Sequence, residues 1–285
     1  MDFEEIEHHQ IVLTSGKSEI TLKGKDVDLY PRLQEMATEN PLVIETKLLK
    51  SIITETAFAA SLQESRPILT GVHMVLSDHK DFKAVATDSH RMSQRKLTLD
   101  NTSNDFNVVI PSKSLREFAA VFTDDIETVE VFFSDSQMLF RSDYISFYTR
   151  LLEGNYPDTN RLIPTSHNTQ IEFYVPELLS AIERASLLSH EGRNNIVRLS
   201  ISPDSVVLYG NSPEIGKVEE ALNYENVSGE ALDISFNPDY MKDALRAFGD
   251  MNITVKFLSP IRPFTLEPTE TELDFIQLIT PVRTN

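Results

Sequence analysis

The sequence predicts an α+β fold built from repeated β-α-β-β-β units, with helices on one face and antiparallel sheets on the other. Three observations carry this reading. Four segments share one plan, a short β-rich run followed by Pro or Thr and an amphipathic helix of about three turns. They are LVIETKLLKSIITETAF, VVIPSKSLREFAAVF, EFYVPELLSAIERASLL and ISFNPDYMKDALRAFG. The first strong apolar residues of the helices, Leu49, Leu115, Leu179 and Met241, recur at spacings of 66, 64 and 62. Strand-like runs follow each helix, which gives an α+β order rather than alternating parallel crossovers.

Each element has a local cause. Thr46, Pro111, Pro176 and Pro238 stand at the strand-to-helix junctions, where Thr suits a cap and Pro a first helical turn. After the second helix come VEVFF, QMLFRS and YISFYTRL. VRLSIS and SVVLYG follow the third, ITVKFL and PFTLEP the fourth. Val197 to Ser202 alternates apolar and polar residues, the period of a half-buried strand. Ahead of Leu49, Ile11 to Ser15 and Ile20 to Leu22 end at Tyr30-Pro31, just as Met138 to Ser142 and Ile145 to Phe147 end at Tyr156-Pro157. Tyr-Pro thus closes an even-numbered unit twice, so two units make one domain. Connectors fall near residues 31–40 and 157–168. The expected domains are 1–38, the C-terminal remnant of a first domain, then 39–160 and 161–285.

Composition removes several function classes. The 285 residues contain no cysteine, which excludes disulfides, thiolate metal sites and cysteine nucleophiles. Apolar residues make up 40%, ordinary for a chain with a buried core, and no run approaches the roughly 18 residues of a membrane helix. The acidic start MDFEEIEHHQ has no apolar segment of a secretory signal. Lys+Arg number 26 against 44 Asp+Glu, for a net charge of −18. Taken whole, such a chain is a poor nucleic-acid binder unless its cations share one face.

Catalytic and phosphate motifs fail on inspection. Gly210 and Gly216-Lys217 are one residue too far apart for a P-loop, and Val218 replaces its Ser or Thr. Gly16-Lys17-Ser18 lacks the first glycine, with Ile11 in its place. His8 and His9 are adjacent with no second ligand pair, so they read as a solvated tail. Asp88-Ser89-His90-Arg91 reads as a turn after the strand Phe82 to Ala86, with Asp88 bonding local backbone, and a non-catalytic recognition role is the competing reading. Consecutive residues cannot form a Ser-His-Asp triad.

Registered on the four anchors, the next residues are Lys50, Arg116, Ser180 and Lys242, and four further on come Thr54, Ala120, Arg184 and Arg246. Every helix then carries a cation on one face, and Lys47 and Lys113 add two near the helix starts. Such a stripe on an acidic chain would hold phosphates without reading bases. The blander alternative is a set of solvated amphipathic faces.

Ordered along essentially the whole chain are LTSGKSEITLKG, ESRPILTGV, VATDSHRMS, VVIPSKSLREF, LLEGNYPDTNRLIP, ERASLLS, ISFNPDYMKDAL and ITPVRTN. On these stretches the chain resembles the bacterial DNA sliding clamps, the beta subunits of DNA polymerase III, with most of the N-terminal domain absent. The resemblance implies the DNA clamp fold, with three domains per subunit. Two subunits would close head-to-tail into a homodimeric ring around duplex DNA, helices inward. It implies a cytoplasmic, non-catalytic accessory subunit of the holoenzyme, with no cofactor, metal or membrane contact. The implied partners are the replicative polymerase, the clamp loader, and repair and mismatch-repair proteins, which dock through short peptide motifs of the Gln-Leu-x-Leu-Phe type.

The resemblance also assigns residues. One side of a peptide pocket would use Leu69, Thr87, His90, Arg91, Met92, Pro157, Arg161 and Leu162. The other would use Asn237, Tyr240, Ile261, Pro263, Leu278, Ile279, Thr280, Pro281, Val282 and Arg283. The DNA-facing set is Lys47, Lys50, Arg66, Lys113, Arg116, Arg184, Lys242 and Arg246. Leu187 and Leu188 would meet Ile20 and Leu22 of another subunit, so this chain is expected to be monomeric or weakly self-associating. Family members usually have Gly where Ser89 stands and Leu where Met92 stands, and the tail Pro281 to Asn285 runs one residue further. Two competitors remain: an interaction scaffold without DNA binding, and an enzyme using Asp88, His90 and Arg91.

Overall fold

The computed structural model describes every residue except 7–8, 31–35, 101–103, 192–194, 213, 270 and 285, and leaves the side chains of 190 and 191 undescribed. His8, Pro31 and Asn285 therefore lie outside the described residues. The chain forms two units, Met1–Ala37 and Thr38–Asn285.

The first unit is an antiparallel meander of β1 (Asp2–Ile6), β2 (Gln10–Ser15) and β3 (Ser18–Lys23). β1 departs from the solvated tail expected there: its backbone pairs from Asp2↔Thr14 to Ile6↔Gln10. Gly16, at φ 60°, supplies the left-handed residue in the two-residue turn between β2 and β3. Every residue of β1 and β3 is exposed, so this sheet encloses no core of its own.

The second unit repeats one order four times. The first repeat is β4 (Leu42–Glu45), α1 (Thr46–Thr56), β5 (Gly71–Ser77), β6 (Asp81–Thr87) and β7 (Arg91–Thr98). The second is β8 (Phe106–Pro111), α2 (Ser112–Val121), β9 (Thr128–Phe133), β10 (Gln137–Arg141) and β11 (Ser146–Arg150). The third is β12 (Thr169–Tyr174), α3 (Val175–Glu191), β13 (Val197–Ser202), β14 (Ser205–Ser212) and β15 (Gly216–Ala221), with a short extra β16 (Val227–Gly229). The fourth is β17 (Leu232–Phe236), α4 (Pro238–Phe248), β18 (Asn252–Phe257), β19 (Phe264–Pro268) and β20 (Phe275–Ile279).

The repeats exchange their first strands. β4 pairs with β9 of the second repeat, and β8 pairs with β5 of the first. In the same way β12 pairs with β18, and β17 with β13. Neither partner can complete its sheet alone, so each pair of repeats shares one core. One core gathers Leu49, Ile52, Leu115, Phe118 and Phe140, and the other Ile182, Leu208, Met241, Leu245 and Phe257. Two four-stranded sheets, β11-β10-β9-β4 and β15-β14-β13-β17, belong to one core each. A nine-stranded sheet, β16-β12-β18-β19-β20-β7-β6-β5-β8, runs across both. The helices form a row as well: α1 packs on α2 and α4, and α4 on α3.

Two helix-start expectations need correction. The fourth helical residue is the buried anchor throughout, which makes the third anchor Leu178, 4% exposed, and leaves Leu179 only partly buried. Leu178 and Leu179 are adjacent and chemically alike, and only burial tells them apart. Thr46 is not a cap either. It is the first helical residue, while Glu45 occupies the cap position without a side-chain bond.

The turn between β6 and β7 is unusual in one residue. Ser89 adopts φ 79°, in the left-handed region that favours glycine.

Two stability changes follow. Leu178→Ala should cost about 3 kcal/mol as a core cavity, and Leu179→Ala about 1 kcal/mol, since less apolar area leaves water there. Urea unfolding of both variants reads the difference, and equal losses would contradict the register. Ser89→Gly relieves about 1 kcal/mol of left-handed strain but frees the unfolded chain, costing up to about 0.5–1 kcal/mol. A net gain of up to about 0.5 kcal/mol is expected in the same assay, and a loss above about 1 kcal/mol would show that the serine side chain, not backbone strain, dominates.

Candidate functional site

The hairpin β6–β7 closes at the pair Thr87↔Met92, and its turn is built by short polar side chains. Asp88 Oδ1 accepts from the amides of His90 (2.9 Å) and Arg91 (3.0 Å). Thr87 Oγ1 donates to the Arg91 carbonyl at 2.6 Å and accepts from the Ser89 amide at 3.1 Å. This is the Asx-type turn expected from the sequence. It directs the His90 ring outward, where it stacks on Tyr240 of α4 with ring centres 6.3 Å apart and planes 16° apart.

The cleft at the turn measures about 510 Å³. His90, Arg91, Leu69 and Tyr240 line it, as expected. The segment 60–66 forms the facing wall, which the sequence reading missed apart from Arg66, placed there in the DNA-facing set. That segment is folded back by the bond from the Ser61 amide to the Leu69 carbonyl, 2.8 Å. It carries Leu62, 84% exposed. Arg66 donates to Ser89 Oγ at 3.2 Å, so it reaches the pocket rim. The sequence signal available for this wall was the stretch ESRPILTGV, which marks the segment but not the direction it folds.

All three guanidinium nitrogens of Arg91 bond protein. Its Nε bonds Asp88 at 3.0 Å, Nη1 bonds Asp243 at 2.6 Å, and Nη2 donates to the Phe58 carbonyl at 2.9 Å. Its guanidinium lies over the rings of Phe58 and Tyr240. With its side chain 11% exposed, it ties the end of α1 to α4 and turns little of its surface to the rim. Burial, and then the Asp88 carboxylate, push the Tyr240 phenol up, so it meets a ligand as a neutral hydroxyl.

Behind the turn lies a small apolar cluster of Val85, Met92 and Leu278, packed by Tyr156 and Ile163. β20 sets it, pairing Leu278↔Met92 and Ile279↔Arg91. The tail continues this order: the Thr280 amide donates to the His90 carbonyl (2.9 Å) and the Val282 amide to the Ser235 carbonyl (2.7 Å). Pro281 is buried and Arg283 exposed. Thr87, Met92, Leu278 and Ile279 are thus buried supports. Asn237 caps α4, accepting from the Asp239 amide at 2.8 Å. Pro157, Leu162 and Ile261 are exposed, Pro263 is half-buried, and Arg161 pairs with Asp158 at 3.0 Å. None of these five lines the pocket at the turn.

On the helical row, the expected cations are mostly paired. Lys50 bonds Asp124 at 2.6 Å and holds that carboxyl below the usual range. Lys242 bonds Asp239 at 2.8 Å, Arg246 bonds Glu183 at 2.9 Å, and Arg184 makes a two-bond pair with Glu220. Arg116 donates to the Ala57 carbonyl at 2.8 Å. Lys47 and Lys113 are exposed. With the third anchor at Leu178, the equivalent positions of α3 hold Leu179 and Glu183, and Arg184 sits one residue off the register. Three helices, not four, carry a cation at the common position. Of the four apolar residues expected at a subunit contact, Ile20, Leu22 and Leu187 are 52%, 49% and 68% exposed, and Leu188 is half-buried. Among the described residues, no helix is long and apolar enough to cross a membrane, and no three His, Asp or Glu gather as metal ligands.

Known proteins match this architecture along its length. The family described as DNA polymerase III beta subunit, central domain, matches residues 43–158, and its C-terminal domain matches residues 160–283. A beta sliding clamp of Streptococcus pneumoniae is 64% identical over 285 residues, all of this chain and 75% of that protein. One of Bacillus subtilis is 45% identical over 275 residues, 96% of this chain and 72% of that protein. The solved beta subunit from the DNA polymerase of Streptococcus pyogenes superposes with a TM-score of 0.96 at 68% identity, over 99% of this chain and 76% of that one. The helix row, the paired sheets and these matches place the chain in the beta sliding clamp family of DNA polymerase III, the processivity factors of replication.

Proposed function

We propose that the chain acts as a non-catalytic, cytoplasmic sliding clamp. Its domains would be 1–38, 39–160 and 161–285. In the homodimeric ring of the full-length form two copies would meet through Ile20 and Leu22 on one and Leu187 and Leu188 on the other, while this chain is expected to associate weakly. Duplex DNA passes along the helical row, and polymerase, clamp loader and repair proteins dock by short peptides at the turn pocket. The single observation that carries the docking role is the pocket itself. It is bounded by the bonded turn 88–91, one aromatic with a polar tip, buried Leu69 and exposed Leu62. Apolar surface for peptide side chains beside polar groups for a peptide backbone is what such a site needs, and this lining mixes Leu62, Leu69 and Tyr240 with Ser61, Gln63 and His90. His90, free of the ties that occupy Arg91, is the donor that meets a peptide backbone.

The ion pairs on the helical row support a weaker DNA contact than a bare stripe would give. Each phosphate must compete with a carboxylate already in place. The same observation favours the second reading, a protein-docking scaffold that holds no DNA.

A lone Gln-Leu-x-Leu-Phe peptide should bind with a Kd on the order of micromolar, about 8 kcal/mol. Grip on DNA by the same partner makes that sufficient through effective concentration. Fluorescence titration of the labelled peptide should show Tyr240→Ala at least ~10-fold weaker, as for a central aromatic contact. A chain lacking residues 281–285 should lose comparable affinity. Undiminished binding by both would place the docking site elsewhere. For DNA, Lys50→Glu with Lys242→Glu should reduce retention on primed circular DNA at low salt while leaving the melting temperature within a few degrees. Retention equal to wild type would leave the scaffold reading standing.

A further inference from the structure

The ladder between β5 and β6 stops early. It ends at the pair His73↔Val85, although β5 begins at Gly71 and β6 runs on to Thr87. Beyond the stop, the Thr87 amide donates to the Tyr156 hydroxyl at 3.0 Å. A buried amide needs such a partner, since an unpaired one costs the full desolvation penalty. The Tyr156 ring is held in place by stacking on His73, centres 4.9 Å apart and planes 26° apart. His73 is fixed in turn by a 2.7 Å bond between Nε2 and Asn107 Oδ1 on β8. Tyr156 also packs on Val85, Met92 and Leu278. One side chain thus touches both the apolar cluster behind the turn and the backbone at the root of the turn. Burial pushes its phenol up, so the hydroxyl stays neutral and available to accept.

We infer that Tyr156 is a positioning residue of the docking pocket: its hydroxyl takes over from β5 at the Thr87 amide and so fixes the hairpin that presents His90 to a peptide. This rests on the peptide-docking reading above. It adds a residue outside the pocket lining, acting through the backbone. An ordinary core tyrosine would contribute its ring alone, and Phe would then serve as well. Phe keeps the stack on His73 and the packing on Met92 but leaves the Thr87 amide without its acceptor, so the turn can move away from Tyr240.

The test titrates a labelled Gln-Leu-Ser-Leu-Phe peptide against the full chain as wild type, Tyr156→Phe and Ile201→Val. Ile201 is buried in the other core and supplies a control of modest stability loss. Amide hydrogen exchange of Thr87 is followed in parallel. The expected result is an affinity about fivefold weaker for Tyr156→Phe, equivalent to about 1 kcal/mol. Thr87 exchange should quicken in that variant alone, and Ile201→Val should bind as wild type does. Wild-type affinity in Tyr156→Phe overturns the inference, as does unchanged Thr87 exchange. Equal weakening in Ile201→Val overturns it too, because the effect would then be one of stability. Failure of the wild type itself to bind the peptide removes the docking reading on which the inference stands.

Discussion

The five-residue ladder between β7 and β20 is the contact from which the candidate site follows. Phe275 to Ile279 lie against Arg95 to Arg91, and that pairing joins the strands of two cores into one nine-stranded sheet. It brings Leu278 beside Met92, sets the His90 carbonyl to receive the Thr280 amide, and puts α4 within reach of Arg91. Backbone hydrogen bonds are directional and alternate in narrow and wide pairs between antiparallel strands, so this register fixes several side chains at once. The pocket is therefore a property of the junction, and no single repeat contains it.

Arg91 makes the same junction from the side-chain direction. Its contacts to Asp88, Asp243 and the Phe58 carbonyl span the turn, α4 and the end of α1. A guanidinium with all three nitrogens engaged at low exposure carries no uncompensated buried charge. A lysine carries its three donors on one nitrogen and lacks the planar fork that reaches partners on three sides. The rigidity this gives is what a peptide site requires, because a ligand then loses little free energy to ordering the protein.

The helical row shows a different balance. A chain with a net charge of −18 cannot keep a field of bare cations without attracting its own carboxylates. Asp124, Glu183, Glu220 and Asp239 supply them. Exposed pairs of this kind add little to stability. Under the proposed DNA role a phosphate would have to exchange with a carboxylate, which suits a weak, mobile contact better than a tight grip. The unit Met1–Ala37 differs again: three paired strands expose Phe3, Ile20 and Leu22, and such a small sheet gains stability only when its apolar side chains are covered.

The four-fold β-α-β-β-β order was legible in the chain because period-two alternation, junction prolines and amphipathic helices are local signals. They recur at Val197 to Ser202, Pro111 and Pro238 regardless of what lies across the core. The turn at Asp88 was legible for the same reason, since its bonds run two or three residues along the chain. The family came from ordered stretches of sequence, and the matches bear it out. What the sequence could not settle were choices made across space. Leu178 rather than Leu179 faces the core because of how α3 packs against β14 and α4. Arg91 spends its donors on Asp243, distant in the chain, and the segment 60–66 closes the pocket by a bond to Leu69. Tyr156 meets Thr87 only because the β5–β6 ladder stops short. Each depends on which backbone groups remain unpaired once the sheets have formed, and that is decided by tertiary pairing alone.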